Sequence, residues 1–164
     1  MGDVTVPMDK SRYPADWVAI SLSIRERDGW KCRECGLANG AQIIRSSERP
    51  ALCVILDVDT QCFATQAGVQ IRDSEMPDEF DTSKQPTRVV LTVHHIGIEK
   101  PDGALGSASD KMDVRPDNLV SLCQRCHFLA DLPGHIINAA RSRKRKKEQA
   151  KLDAGQMPLF GGEE

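Results

Sequence analysis

Residues 117–127 read Asp-Asn-Leu-Val-Ser-Leu-Cys-Gln-Arg-Cys-His, and this stretch decides the fold. Residues 118–122, Asn-Leu-Val-Ser-Leu, predict a short strand. Cys123 and Cys126 then form a C-x-x-C knuckle, in which a tight turn aims two sulfurs at one ion. His127 follows the knuckle directly, where a helix is expected to begin. A strand, a metal knuckle and a helix are therefore expected to meet within this one stretch.

A second knuckle, Cys32 and Cys35, lies near the other end of the chain, and 88 positions separate Cys35 from Cys123. Two such knuckles supply four thiolates, which is the closed tetrahedral ligand set of structural zinc. The ion would join the N-terminal part of the chain to the C-terminal motif. Its binding energy would then count directly toward folding.

Other assignments of the cysteines remain open. One pair could be redox-active or simply buried, although residues 32–35 do not follow the βαβ pattern of redox C-x-x-C motifs. His127 could replace one cysteine as a zinc ligand. Cys53 and Cys62 lie in strand-like apolar sequence, where a free cysteine behaves as a small hydrophobic residue, so we predict that both are core residues.

Length and composition indicate one domain with a thin core. The chain has 164 residues, of which 40% are hydrophobic but only 4% aromatic. Small domains with thin cores often use a metal ion to hold the fold. The net charge of −2 indicates no particular partner, but residues 73–81 are acidic and residues 141–147 are basic. Residues 1–14 contain no apolar signal-peptide core, and no apolar run approaches a membrane span of about 20 residues.

The N-terminal part of the chain predicts an amphipathic helix. Pro14 suits a first helical turn. Trp17, Ile20 and Ile24 then recur at helical spacing, and the helix is expected to end near Arg27, ahead of an Asp-Gly stop.

The remaining elements are assigned from β-branched content and from turn residues. The predicted strands cover residues 42–45, 51–58, 61–71 and 88–93. Loops are predicted at 76–86 and 97–116. A helix is expected from Cys123 to Asp131, to restart after Pro133, and to continue as a basic amphipathic helix over 135–151. The fold class is therefore α+β.

This assignment divides the chain into three parts. Residues 1–12 are a flexible lead-in, residues 13–152 form one domain that contains a β-rich insertion over 37–87, and residues 153–164 are a disordered tail. The domain thus has an N-terminal helix, a metal-binding core and a C-terminal basic helix.

His94 and His95 end the predicted strand over 88–93, and Asn118 and His127 follow later in the chain. Neighbouring residues of a strand point to opposite faces. Where the strand bends into a loop, one histidine could hold a metal ion while the other acts as a base, since a neutral imidazole accepts a proton at physiological pH. Zinc at the adjacent knuckle would fix the position of His127.

Three stretches together resemble the HNH endonuclease family: residues 17–36, which end in Arg-Asp-Gly-Trp-Lys-Cys-Arg-Glu-Cys-Gly, the Leu-Thr-Val-His-His-Ile of 91–96, and residues 117–127. The resemblance implies a small ββα-metal core, in which a hairpin and a helix surround one divalent ion. It also implies that the protein hydrolyses DNA phosphodiester bonds. Residues 37–87 lie outside the resemblance.

The resemblance implies a role for each residue of the motif. His95 is the expected general base, and His94 and His127 are the expected ligands of the catalytic metal. Asn118 is the middle residue of the motif and is expected to brace the loop and orient His95. Many relatives carry aspartate at the position of His94, so the metal could be Mg²⁺, Mn²⁺, Ni²⁺ or Zn²⁺, and histidine favours the softer ions.

A dense cationic run precedes the tail and predicts contact with DNA phosphates, which would be salt-sensitive and independent of base sequence. The run could instead be a solvated helix end, where the helix dipole favours cations. The predicted DNA-binding residues are Arg141, Arg143, Lys144, Arg145, Lys146 and Lys147.

The tail contains the apolar pentapeptide Gln156-Met157-Pro-Leu159-Phe160. It resembles the Q-L-x-L-F motif that binds the bacterial replication sliding clamp, with methionine at the second position. The alternative is that Leu159 and Phe160 pack on their own domain.

The sequence therefore predicts a metal-dependent HNH endonuclease that acts on DNA, contains structural zinc, and works in the cytoplasm of a bacterium or a phage-infected cell. Two alternatives are a zinc-dependent DNA-binding module without catalysis and an adaptor that presents its tail to the clamp.

Overall fold

The computed structural model describes residues 10–57 and 59–153, and it has an α+β architecture. Two helices, α1 (Trp17–Arg27) and α2 (Gln124–Asp153), accompany two antiparallel sheets. Their strands are β1 (Gln42–Arg45), β2 (Cys53–Asp57), β3 (Cys62–Thr65), β4 (Gln70–Ile71), β5 (Thr87–Arg88), β6 (Leu91–His95) and β7 (Leu119–Cys123). The chain divides into two compact units, the first ending at His127 and the second beginning at Phe128.

Helix α1 follows the pattern that the sequence predicts. Trp17 and Ile24 are buried against Leu119 of β7. The helix begins three residues after Pro14, whose carbonyl accepts a hydrogen bond from the Trp17 N–H. It ends at the predicted residue because Gly29 adopts a φ of +65°, a left-handed conformation that stops a helix.

The buried carboxylate of Asp28 ties the end of α1 to β7. It accepts hydrogen bonds from the Arg27 guanidinium and from the backbone N–H of Ser121. Arg27 also donates to the carbonyl oxygen of Leu119. Burial acts to raise the pKa of Asp28, but the hydrogen bonds outweigh it and hold the pKa below its ordinary value.

The small sheet is the hairpin β6–β7, with Thr92 opposite Leu122 and His95 opposite Leu119. The predicted strand over 88–93 is split, because Arg88 pairs with β1 in the large sheet whereas Leu91 begins the hairpin. The prediction of one continuous strand from Arg88 was therefore wrong, whereas its end at the histidine pair agrees with the structure. His94 and His95 are the last two residues of β6.

The large sheet has the strand order β4-β3-β2-β1-β5, and it is built from the predicted insertion. The single strand predicted over 61–71 is two paired strands, β3 and β4, because a turn with Gly68 at a φ of +83° reverses the chain between them. One face of the sheet packs around Ile44, Val54 and Phe63, and the other contributes Ile43 and Cys53 to the core beside the cysteine knuckles.

Residues 76–86 form no helix or strand, as predicted, and they cover the outer face of the large sheet with Phe80. Glu79 anchors this segment. Its buried carboxylate accepts hydrogen bonds from the Ser46 hydroxyl and the Arg49 guanidinium. The acidic segment is therefore partly neutralised within the fold.

Helix α2 runs without a break through Pro133, so the predicted restart after that residue was wrong. Proline removes one backbone donor, which leaves the carbonyl of Leu129 without its helical partner. Pro133 and Leu129 are both exposed, so water can hydrogen-bond to that carbonyl. The free-energy cost of the lost helical hydrogen bond therefore stays small. Among the described residues, no helix is both long and apolar enough to cross a membrane.

Candidate metal centres

Four sulfurs converge in the first unit. The two predicted knuckles supply them, and the set comprises Cys32, Cys35, Cys123 and Cys126, whose Sγ atoms all lie within 4.8 Å of one another. Sγ of Cys35 and Sγ of Cys123 are 3.6 Å apart. A tetrahedral ion with metal–sulfur bonds of about 2.3 Å requires sulfurs roughly 3.8 Å apart. The ligand set and its spacing therefore fit zinc.

The backbone around the first knuckle is arranged for thiolates. The pKa of Cys32 is below its ordinary value, because hydrogen bonds from the backbone of Cys123, Cys35 and Glu34 outweigh the effect of burial, which raises it. Burial, together with the neighbouring thiols, raises the pKa of Cys35 to about 11 and that of Cys126 still further above its ordinary value. Four crowded thiols of this kind ionise together only when a cation balances their charge.

The other two cysteines have different environments. Cys53 is buried in the core cluster that also contains the knuckles, as predicted. Cys62 is exposed, so the prediction that it is a core residue was wrong. It lies opposite Asp57 at the end of β2 and β3 next to the turn that connects them, and the strand residue that faces inward is its neighbour Phe63.

A second candidate metal position lies where the hairpin meets the start of α2. The imidazole rings of His94 and His127 face each other edge to face, with centroids 4.9 Å apart and planes inclined by 74°. Their nearest ring nitrogens lie within 4.8 Å of one another. One divalent ion, with metal–nitrogen bonds of about 2.1 Å, could reach both rings after a small adjustment.

Thr92 contacts the second of these rings. Its hydroxyl lies 2.5 Å from Nδ1 of His127 and 3.4 Å from the carbonyl oxygen of Leu122. Thr92 and His94 are two residues apart on β6, so their side chains share a face of the hairpin. No sequence motif identified Thr92, although its position two residues before a candidate ligand was a usable signal.

His95 points away from this pair. Its ring stacks on Trp17, with centroids 5.3 Å apart, and Tyr13 packs beside it, so only 1% of the residue is exposed. Burial lowers the pKa of His95 to about 4, and a hydrogen bond with the backbone of Lys111 opposes this only weakly. Its Nε2 is buried and has no hydrogen-bond partner within the described part of the chain. The backbone bond therefore uses Nδ1.

Asn118 is fully buried and braces the loop over 97–117. Its Oδ1 accepts hydrogen bonds from the N–H groups of Gly97 and Ile98, and its Nδ2 donates to the carbonyl of Asp113. Gly106 packs so closely on this loop that a Cβ would lie 1.8 Å from the Ile98 carbonyl oxygen. The loop therefore has little freedom next to the histidine pair.

Comparisons of the chain with protein-family models, with curated protein sequences and with solved structures found no match. The interpretation of these centres therefore depends on the chain's own residues.

The remaining predicted residues lie elsewhere. The cationic residues Arg141, Arg143, Lys144, Arg145, Lys146 and Lys147 are all exposed on α2 in the second unit. His135 is exposed there and stacks on Phe128. Gln156, Met157, Leu159 and Phe160 lie outside the described residues, so the clamp-binding motif stays a prediction. Asp131 follows His127 by four positions in α2, a spacing that the sequence analysis did not consider.

Proposed function

We propose that this protein is a metal-dependent DNA endonuclease of the HNH type, with a structural zinc ion and one catalytic divalent ion. The observation that carries the proposal is the facing pair of imidazoles, His94 from a hairpin strand and His127 from the start of a helix. One knuckle of the four-cysteine cluster, Cys123 and Cys126, lies directly before His127 in the chain, and a bound ion would hold the hairpin and the helix start together. This arrangement supports a ββα-metal core.

Each residue of the motif has a role in the proposed reaction. A divalent ion held by His94 and His127 would polarise the scissile phosphate and stabilise the leaving oxygen. His95 is neutral at physiological pH and carries its lone pair on Nε2, so this nitrogen would accept the proton of the attacking water. Asn118 would keep the loop in place around His95.

The exposed cations of α2 would bind DNA phosphates without reading the base sequence. The C-terminal motif would add a second contact, to a sliding clamp. Such a contact would raise the local concentration of the enzyme on replicating DNA.

A second candidate is a zinc-dependent DNA-binding module without catalysis. The burial of His95 beneath Trp17 favours it, because a general base has to reach the attacking water. The two candidates differ in one measurable property, which is hydrolysis.

A plasmid-nicking assay tests the proposal. The parent protein, with its zinc retained, is expected to nick supercoiled DNA when Mn²⁺ or Mg²⁺ is added. His95→Ala should lose activity by on the order of 10²- to 10⁴-fold. Because His95 is buried against Trp17, the variant should also melt somewhat lower, but it should keep its zinc and stay folded at the assay temperature. His135→Ala is the matched control, since this histidine is exposed in the second unit, and it should nick like the parent. Nicking by His95→Ala at the rate of the parent would remove His95 from the mechanism, and no nicking by the parent with any of these metals would favour the binding module.

A further inference from the structure

The contact between Thr92 and His127 determines where the ring proton of His127 can lie. A neutral imidazole has one protonated nitrogen and one with a lone pair. Only the nitrogen with the lone pair binds a metal ion. Because the Thr92 hydroxyl lies 2.5 Å from Nδ1, the direction of this hydrogen bond favours one of the two tautomers.

The second neighbour of the hydroxyl sets the direction. Thr92 lies opposite Leu122 in the hairpin register, and its Oγ1 is 3.4 Å from the Leu122 carbonyl oxygen. A carbonyl oxygen only accepts hydrogen bonds, so the hydroxyl proton points toward it. The hydroxyl oxygen then accepts the proton of His127 Nδ1. In this arrangement the hydroxyl donates to the carbonyl and accepts from the imidazole.

We propose that Thr92 is a positioning residue that holds His127 in the tautomer protonated at Nδ1 and so directs Nε2 to the catalytic metal. The inference rests on the metal position of the proposed function. Histidine ligands of metal ions usually donate their other N–H to an oxygen, which fixes the tautomer and the orientation of the ring. Here the oxygen comes from the same strand face that supplies the other candidate ligand, His94.

Two substitutions of Thr92 separate the hydroxyl from the shape of the side chain. Thr92→Val keeps a β-branched side chain in the strand and removes the oxygen, whereas Thr92→Ser keeps the oxygen and removes a methyl group. Both variants should retain zinc and a folded hairpin, which zinc analysis and backbone amide NMR spectra would check. The comparison of the two variants isolates the hydrogen bond.

The first readout is the tautomer itself, before any catalytic metal is added. In protein labelled with ¹⁵N at histidine, the ring nitrogen shifts at alkaline pH distinguish the protonated nitrogen from the one with the lone pair. His127 should carry its proton on Nδ1 in the parent and in Thr92→Ser, and the proton should shift toward Nε2 in Thr92→Val. A parent ring protonated at Nε2 would overturn the inference, and so would identical spectra for the parent and Thr92→Val.

The second readout is affinity for Mn²⁺, which does not compete well for the thiolates of the zinc site. Binding is followed by the paramagnetic broadening of the His127 signals, and His94→Ala serves as the reference that lacks one ligand. Thr92→Val should bind Mn²⁺ about 10- to 100-fold more weakly than the parent, while Thr92→Ser stays within a few-fold. Equal affinity of the parent and Thr92→Val would count against the inference.

These readouts are independent of nuclease activity. A protein that binds Mn²⁺ in a Thr92-dependent manner but never cleaves DNA would support the inference and reject the proposed nuclease. If the protein cleaves DNA but the parent and Thr92→Val bind Mn²⁺ with equal affinity, the proposed nuclease is supported and the inference about Thr92 is rejected.

Discussion

At the scale of single residues, two neighbours act on the imidazole of His95 in different ways. The backbone of Lys111 holds Nδ1, and the Trp17 ring covers the imidazole. Their combined result is a neutral ring whose remaining lone pair lies on Nε2. This is the protonation state that a general base needs.

Glu79 is the residue for which a pH effect is expected. The Arg49 and Ser46 hydrogen bonds hold the pKa of Glu79 below its ordinary value. The folded protein therefore binds a proton at this carboxyl less readily than the unfolded chain does. The resulting stabilisation is fully present above the unfolded pKa of about 4.3 and is lost as the pH falls through the lower folded pKa.

Glu79→Gln removes this titration and keeps the size of the side chain. At neutral pH the variant should melt below the parent, and the difference between the two should shrink as the pH falls below about 4. Thermal melts between neutral pH and pH of about 3 measure it. Other acid-sensitive groups, including the zinc thiolates, are common to both proteins and cancel in the difference. A difference that stays constant with pH would show that the pKa of Glu79 is not lowered in the folded state.

At the scale of elements, the sequence predicted those with strong periodicity or clear stop signals. Helix α1 and strand β1 have the predicted bounds or nearly so, because apolar spacing and Gly29 define them locally. The two errors around the hairpin and Pro133 have a different origin. Arg88 joins the large sheet because it pairs with β1, which lies more than 40 residues earlier in the chain. Helix α2 tolerates Pro133 because that residue is exposed to solvent.

The candidate site was predictable only in part, for a related reason. Residue types and spacing identified the four cysteines and the two facing histidines, because metal ligands are chemically distinctive. The aromatic cover over His95 was not predictable. It depends on how α1 packs on the hairpin, which no local pattern in residues 13–24 specifies.

The cationic part of α2 should determine how DNA binding depends on salt. Each phosphate that the protein neutralises contributes about −0.9 to the slope of log affinity against log salt concentration. Replacing Lys144, Arg145 and Lys146 with glutamine should therefore make the slope less negative by roughly 2 to 3, and should weaken binding similarly for all DNA sequences. Fluorescence anisotropy with labelled duplexes at several salt concentrations measures both effects.

Exposed cations of the large sheet region provide the control. Arg72→Gln combined with Lys84→Gln removes two exposed positive charges from the insertion. This variant should leave the slope unchanged if α2 carries the DNA contact. Equal effects of the two variants would indicate non-specific attraction spread over the whole surface.

At the scale of the whole molecule, the large sheet shares a buried core with the four cysteines. Ile43 and Cys53 of the large sheet belong to the same buried cluster as Cys32 and Cys123. The four-cysteine site therefore joins three parts of the first unit: the segment after α1, the large sheet and the hairpin. Loss of the ion should loosen all three together.

Zinc removal should accordingly destabilise the first unit as a whole. Cys32→Ser combined with Cys35→Ser is expected to lose several kcal/mol of stability, which corresponds to a fall in melting temperature of roughly 10–20 °C for a chain of this size. Elemental analysis should find one zinc per parent chain and none in the double variant. Cys62→Ser is the matched control, because this exposed cysteine lies outside the cluster, and it should melt like the parent. A double variant with unchanged melting would contradict a structural zinc site.

The separation of the two knuckles has a consequence for the newly made protein. Ribosomes add about 5–20 residues per second, so the 88 positions between Cys35 and Cys123 correspond to a delay of roughly 4–18 s. During this interval two thiols of an incomplete site are exposed to competing metals and oxidants. The large sheet, whose strands are all synthesised within the delay, can form first and shield them. The large sheet can therefore pack beside the first knuckle before the second knuckle has been synthesised.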